Sequence, residues 1–228
     1  MRSNIVLIDF ENVRPDSLQL LASEHFRVLL FVGANQTKLP FETVEAIQKL
    51  GVKAEYIKIA GNGPNALDFH IAYYIGTLAA TEPAAYFHIV SRDTGFDPLI
   101  QYLKNKKVLA ARVEAIGEIP LVKVATAKSP AERIQIYADK LAKATKPGTL
   151  KSLKSDIASY FRKQLSDAEV AAIVDGLIRR GFISVAGDTT VTYAAASDAP
   201  QRVNLALPHR STNSSDCSTS LSPTPYSV

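Results

Sequence analysis

Ile5-Val6-Leu7-Ile8 stands as an unbroken apolar run in front of Asp9, as does Val28-Leu29-Leu30-Phe31-Val32, and the short β-rich runs of the first half are Ile5–Ile8, Arg27–Val32, Lys53–Ile57, Tyr86–Val90 and Val108–Val113. Short runs that are continuous rather than alternating are the mark of strands buried on both faces. Between them the apolar positions fall at helical spacing, in Asp16–Ala22, Phe41–Leu50, Ala66–Ala80 and Phe96–Asn105. Five strands alternating with helices predict an α/β fold over residues 1–124. The expected architecture is a three-layer α/β/α sandwich around a mainly parallel five-stranded sheet. Such sheets bind ligands beyond the carboxyl ends of their strands, where the strand order reverses.

The pattern changes after residue 124. Residues 130–144 predict a helix with Pro130 in its first turn, and Gly148 breaks the chain. Leu150–Phe161 and Asp167–Arg180 are two further amphipathic segments. The second opens on Ser166-Asp167-Ala168-Glu169, a capping-box pattern, and closes at Gly181. Phe182–Ala186 and Thr189–Tyr193 flank Gly187-Asp188 and predict a small hairpin. Three helices and a hairpin in residues 130–195 describe a small winged-helix-like domain, joined by Ala125–Ser129 as linker. In residues 196–228, 15 of 33 positions are Ser, Thr or Pro. That segment is expected to be a disordered tail, because it buries too little apolar surface to offset the entropy of ordering.

Composition excludes several classes. Cys217 is the single cysteine, so neither an intrachain disulfide nor a thiolate metal site is available. The four histidines, His25, His70, His88 and His209, show no zinc-site spacing. No apolar run approaches the ~20 residues of a membrane span. The four apolar residues after Met1-Arg2-Ser3-Asn4 are too few for a signal-peptide core. A cytoplasmic protein without a membrane partner is expected. The net charge of +4 is uneven: residues 1–125 carry 13 basic and 13 acidic side chains, and residues 126–195 carry 11 and 7. The basic excess, including Arg162, Lys163, Arg179 and Arg180, suits a polyanion such as a nucleic-acid backbone. A solvated helical surface or a protein-docking module has the same composition.

Candidate chemistry lies at the strand ends. Asp9 follows the first strand, in Leu7-Ile8-Asp9-Phe10-Glu11-Asn12, and Asp93 follows the fourth, in Ser91-Arg92-Asp93-Thr94-Gly95-Phe96-Asp97. Asp68 and Asp97 open the helices after the third and fourth strands. If strands 1 and 4 are neighbours, Asp9 and Asp93 converge, and the other two overhang the same crevice. Clustered carboxylates repel one another unless a cation is present, and oxygen-only ligands suit Mg²⁺ or Mn²⁺. Asn65 with Asp68 and Thr94 with Asp97 also fit a helix cap followed by an acid at the third position, so each pair reads as cap or as ligand. Glu11 is either a further ligand or base or an exposed acid in a turn. Asn12 either bonds Asp9 and the metal's water or caps the first helix. His70 reads as structural, and Tyr73 and Tyr74 read as packing residues. The chain carries neither a P-loop nor a dinucleotide-binding glycine fingerprint.

Three segments in order carry a resemblance: Leu7-Ile8-Asp9-Phe10-Glu11-Asn12-Val13, Asn65-Ala66-Leu67-Asp68-Phe69-His70-Ile71-Ala72, and Ser91-Arg92-Asp93-Thr94-Gly95-Phe96-Asp97-Pro98-Leu99-Ile100. On these the chain resembles the PIN-like nucleases, particularly the bacterial NYN-type branch, over about residues 4–115. The resemblance implies a Mg²⁺- or Mn²⁺-dependent endoribonuclease acting on RNA, single-stranded above all. Asp9, Asp68 and Asp93 would be its acidic residues, Asp97 would support them, and Ser91 would shape the turn. Asn12 and Ser91 are placed on the substrate side, with Arg162, Lys163, Arg179 and Arg180 on the RNA backbone. Gly95 stands where many NYN-type members have a second Asp. The C-terminal helices are loosely similar to the LOTUS-type winged helices that accompany some NYN domains, and a homodimer would extend an RNA channel. Two other readings compete. One is a non-catalytic RNA-binding or regulatory protein on the same scaffold, which Gly95 favours. The other is a phosphatase with Asp9 as nucleophile, which lacks the second Asp and a lysine motif.

Overall fold

The structure is a computed structural model that describes residues 2–194 apart from Glu24 and Asp188. The Ser/Thr/Pro-rich segment 196–228 lies outside the described residues.

Five parallel strands form the central sheet: β1 (Asn4–Asp9), β2 (Phe26–Val32), β3 (Ala54–Lys58), β4 (Tyr86–Val90) and β5 (Leu109–Val113). Their spatial order is β3-β2-β1-β4-β5. All six residues of β1 are buried, as its central place requires, whereas edge strand β3 buries only Ile57. Ile8 lies level with Leu30 on one side and Val90 on the other. The order reverses between β1 and β4, so the crevice for ligands opens there.

Alternate residues feed two cores. Val6, Ile8, Val28, Leu30 and Val90 pack with Leu18, Leu21, Ile47, Leu50 and Val122. Ile5, Leu7, Leu29, Phe31, Phe87 and Ile89 pack with Leu67, Ile71, Ile75, Phe96 and Leu103 on the opposite face. The first face is covered by helices α1 (Phe41–Leu50) and α4 (Pro120–Thr126), the second by α2 (Ala66–Thr81) and α3 (Phe96–Asn105). This is the expected α/β architecture with helices on both faces.

Two local expectations are corrected. Asp16–Ala22 is not a helix but a single 3-10 turn at Leu18–Leu21. Only Leu18 and Leu21 are buried there, three residues apart, which suits one tight turn and no second one. The expected linker begins inside α4, which runs through Thr126 with Val122 in the first core.

The C-terminal part contains α5 (Pro130–Leu141), α6 (Leu150–Tyr160), α7 (Asp167–Arg179) and a hairpin of β6 (Ile183–Ala186) with β7 (Thr190–Tyr193). Capping boxes start all three helices, at Ser129 with Glu132, Thr149 with Ser152 and Ser166 with Glu169. Their apolar stripes form a third core from Ile134, Tyr137, Leu141, Leu153, Ile157, Ile173 and Leu177, closed by Ile183 and Val191. A bridge between Thr149 and Thr190 ties the hairpin to the start of α6.

Candidate functional site

Asp9 closes β1 and is fully buried, which a carboxylate tolerates only with its oxygens satisfied. Oδ1 accepts from the backbone N–H groups of Glu11 (3.1 Å) and Asn12 (3.2 Å). Oδ2 accepts from Asn12 Nδ2 and from Ser91 Oγ, both at 2.7 Å. Ser91 Oγ in turn accepts from the backbone N–H of Asp93 at 3.0 Å. One chain of hydrogen bonds therefore joins the end of β1 to the turn after β4. Ser91 is fully buried, so its expected place on the substrate side is corrected: it braces Asp9. The side chain of Asn12 is likewise engaged with Asp9, although the residue is exposed.

Asp93 lies half-buried on the other side of the crevice, and its Oδ1 accepts from the backbone N–H of Gly95 at 2.7 Å. A Cβ at position 95 would lie 3.0 Å from that oxygen. The glycine that departs from the family pattern thus gives the Asp93 carboxylate room to fold over its own turn. Asp68 overhangs from the first turn of α2. Burial pushes it up to about 6, and the charges of Asp9, Asp93 and Glu11 push in the same direction. Four acids therefore share one electrostatic neighbourhood: Asp9, Glu11, Asp68 and Asp93.

Glu11 is the member that residue spacing leaves undecided. Its carboxylate rests against Gly33 just past β2, where an added Cβ would come within 1.9 Å of Glu11 Oε1. A glycine directly after the apolar run Val28–Val32 is the one sequence sign of that approach.

Asp97 is not brought to the cluster. Its carboxylate takes a two-pronged bond from Arg112 of β5, with Nε at 2.8 Å and Nη2 at 3.4 Å, and Arg112 Nη1 also reaches the Ser91 carbonyl at 3.2 Å. The guanidinium holds the Asp97 carboxyl below its usual range. Neither expected cap forms: Asn65 sits in left-handed backbone (φ 60°) without a side-chain bond to α2, and α3 is preceded by Gly95 in the cap position rather than Thr94. Arg112 was missed because a lone arginine in an edge strand carries no sequence signal.

Among the described residues, no three His, Cys, Asp or Glu side chains are gathered so as to hold a metal ion. The donors fit a hard divalent cation in kind, since all are carboxylate oxygens and their mutual repulsion shows at Asp68. Their coordination sphere is not preassembled.

The four basic residues expected on RNA are exposed and lie in the C-terminal part. Arg162 and Lys163 follow α6 in left-handed backbone (φ 54° and 56°), and Arg179 and Arg180 end α7. His70 is structural as read, with Nδ1 on the Ala66 carbonyl at 2.7 Å. Tyr74 packs edge-on against Phe31, and Tyr73 meets Tyr74 edge-on with ring centroids 5.9 Å apart, though most of its surface stays exposed.

Residues 3–113 match the family model of the PIN domain, a stretch that spans β1 to β5 and every member of the carboxylate cluster. PIN domains are generally nucleases that use divalent metal ions, so the match supports a nuclease-like function. No curated protein matches the chain. Among the described residues, no helix is long and apolar enough to cross a membrane.

Proposed function

We propose that the chain is a PIN-like protein, as the match of residues 3–113 to the PIN-domain model supports, and that it is a metal-dependent endoribonuclease of the NYN-type branch. One observation carries the reading: Asp68 is raised to about 6 in the company of Asp9, Asp93 and Glu11, at the crevice where the strand order reverses. Clustered acids repel one another and raise their proton affinities unless a cation offsets the charge, which supports a metal-binding role for the group.

Asp68, Asp93 and Glu11, beside Asp9, are the residues that would hold Mg²⁺ or Mn²⁺. When bound, such an ion supplies Lewis acidity to the phosphodiester and lowers the pKa of a water. The chain's own residues supply position. Asn12 and Ser91 hold Asp9 fixed at the strand end. The N–H of Gly95 orients Asp93, and Arg112 sets the turn behind it through the Ser91 carbonyl. Asp68, with its raised proton affinity, orients the attacking water. Single-stranded RNA is the proposed substrate. The winged-helix-like C-terminal part is proposed to hold its backbone through Arg162, Lys163, Arg179 and Arg180.

A second reading, a non-catalytic RNA-binding protein, is favoured by the four hydrogen bonds that already occupy Asp9 and by the attachment of Asp97 to Arg112. Cleavage of labelled single-stranded RNA, with a single-stranded DNA control, in Mn²⁺, Mg²⁺ and EDTA separates the two. Cutting that needs metal and is lost in Asp93→Asn supports the nuclease. RNA binding without cutting in either metal, unchanged in Asp93→Asn, rejects it in favour of the binding protein.

A further inference from the structure

The positive charge of the chain is concentrated in one short stretch. Residues 143–163, which contain α6 and the segments at its two ends, hold six basic side chains and one acidic one, an excess larger than the +4 of the whole chain. The acid, Asp156, is taken up by the Tyr137 hydroxyl and Lys140 Nζ, which both donate to its Oδ2. The inner face of α6 buries Leu153 and Ile157 in the third core. Its outer face presents Lys151, Lys154, Ser155 and Ser159, three or four residues apart and all exposed. Arg162 and Lys163, exposed as well, follow directly after the helix. Among the described residues, none of these four cations forms an ion pair.

Both ends of α6 keep positive charge against the local preferences of the backbone. Ser152 stands at the capping-box position where α5 and α7 carry Glu132 and Glu169. Lys151 lies in the same first turn, where the helix dipole favours an acid. At the other end Arg162 and Lys163 sit in left-handed backbone, at φ 54° and 56°, a conformation that glycine takes freely and any side chain makes costly. Local exceptions of this kind gather where charge or shape serves a function.

We propose that the outer face of α6 is the surface that seats single-stranded RNA, with Lys151, Lys154, Arg162 and Lys163 on its phosphates and the hydroxyls of Ser155 and Ser159 donating between them. The placement rests on the nucleic-acid reading of the C-terminal part and narrows it to one face. The next helix and the hairpin do not share the charge. α7 carries Asp167, Glu169 and Asp175 ahead of Arg179, and neither β6 nor β7 contains a Lys or Arg. Acids on α7 repel phosphate, whereas α6 offers cations without competing acids. A protein is the poorer occupant. Every exposed residue from Lys151 to Ser159 is Lys or Ser, so the face has no apolar or aromatic group to form an interface core, and lysine is depleted from such interfaces.

Fluorescence anisotropy of the full chain with a labelled single-stranded RNA tests this, in EDTA so that binding is read without cleavage. The variants are Lys151→Gln with Lys154→Gln, a pair that keeps helix propensity, and Asp175→Asn on the exposed side of α7. Wild type is expected to bind. The lysine variant is expected to bind about tenfold more weakly at about 0.1 M salt, with the slope of log affinity against log salt shallower by about 1.4. Its circular dichroism and Tm are expected to match wild type. Asp175→Asn is expected to stay within about twofold of wild type, because its charge lies off the bound strand. Unchanged affinity and slope in the lysine variant overturn the proposal while wild-type binding upholds the RNA reading, and tighter binding by Asp175→Asn then moves the interface to α7. A wild type that binds no RNA overturns both and leaves an acidic protein surface as the partner of α6.

Discussion

At the residue scale, Asp68 and His88 respond to burial in opposite ways. Burial and three neighbouring acids raise Asp68 to about 6, above the ~4 of an unfolded aspartate. The folded chain binds the extra proton between those values, so the Asp68 contribution to stability falls as pH rises through that window. Asp68→Asn is expected to stabilise the metal-free protein by about 1 kcal/mol at pH 7.5 and by much less at pH 4.5, since solvent screens part of the interaction. Denaturant unfolding at the two pH values checks this; an equal gain at both would show that the charge is irrelevant. Adding Mg²⁺ to wild type is expected to recover most of the difference. His88 lies in the middle of β4, with Nε2–H donating to Asn4 Oδ1 at 3.0 Å. Its Nδ1 has no hydrogen-bond partner. Burial pushes it down to about 4 from its ordinary 6.5. Its neutral form therefore contributes stability that is present above pH 6.5 and lost as pH falls toward 4. His88→Leu is expected to flatten the acid limb of melting temperature against pH, and an unchanged limb would assign acid lability elsewhere.

At the element scale, the working unit is the pair of strand ends β1 and β4, braced by Asp9, Ser91 and the backbone of Asp93. Ser91→Ala removes the side-chain donor that crosses between them and leaves a buried carboxylate one bond short. A loss of about 1–3 kcal/mol is expected in urea unfolding, together with weakened cleavage. Full stability in that variant would mean that Asn12 and the turn N–H groups suffice for Asp9. Elements with a complete local signal are legible in the sequence. Phe41–Leu50 and Phe96–Asn105 match the helices to the residue, and Ser166 with Glu169 forms the expected capping box. The helix expected over Asp16–Ala22 does not form, because two apolar residues three apart satisfy a 3-10 turn as well as the start of a helix.

For the whole molecule, charge is divided between an acidic crevice on the sheet and a basic C-terminal part. If that part holds RNA, replacing Arg162, Lys163, Arg179 and Arg180 by Gln is expected to weaken binding. It should also make the slope of log affinity against log salt shallower by about 0.7 for each phosphate that is no longer neutralised. An unchanged slope would remove these residues from the interface. The α/β class and the acids after β1 and β4 follow from the sequence alone, because burial on both faces of the central strands writes continuous apolar runs that stop at Asp9 and, after β4, at Ser91-Arg92-Asp93. Which acids act together was decided only in three dimensions. The order β3-β2-β1-β4-β5 brings Asp9 beside the turn of Asp93 from 84 residues away, and α2 lays Asp68 over both. Arg112, arriving on the edge strand, draws Asp97 out of the group, and Gly33 lets Glu11 in. Charge–charge interaction depends on distance through space, and a one-dimensional pattern records which groups exist but not which of them meet.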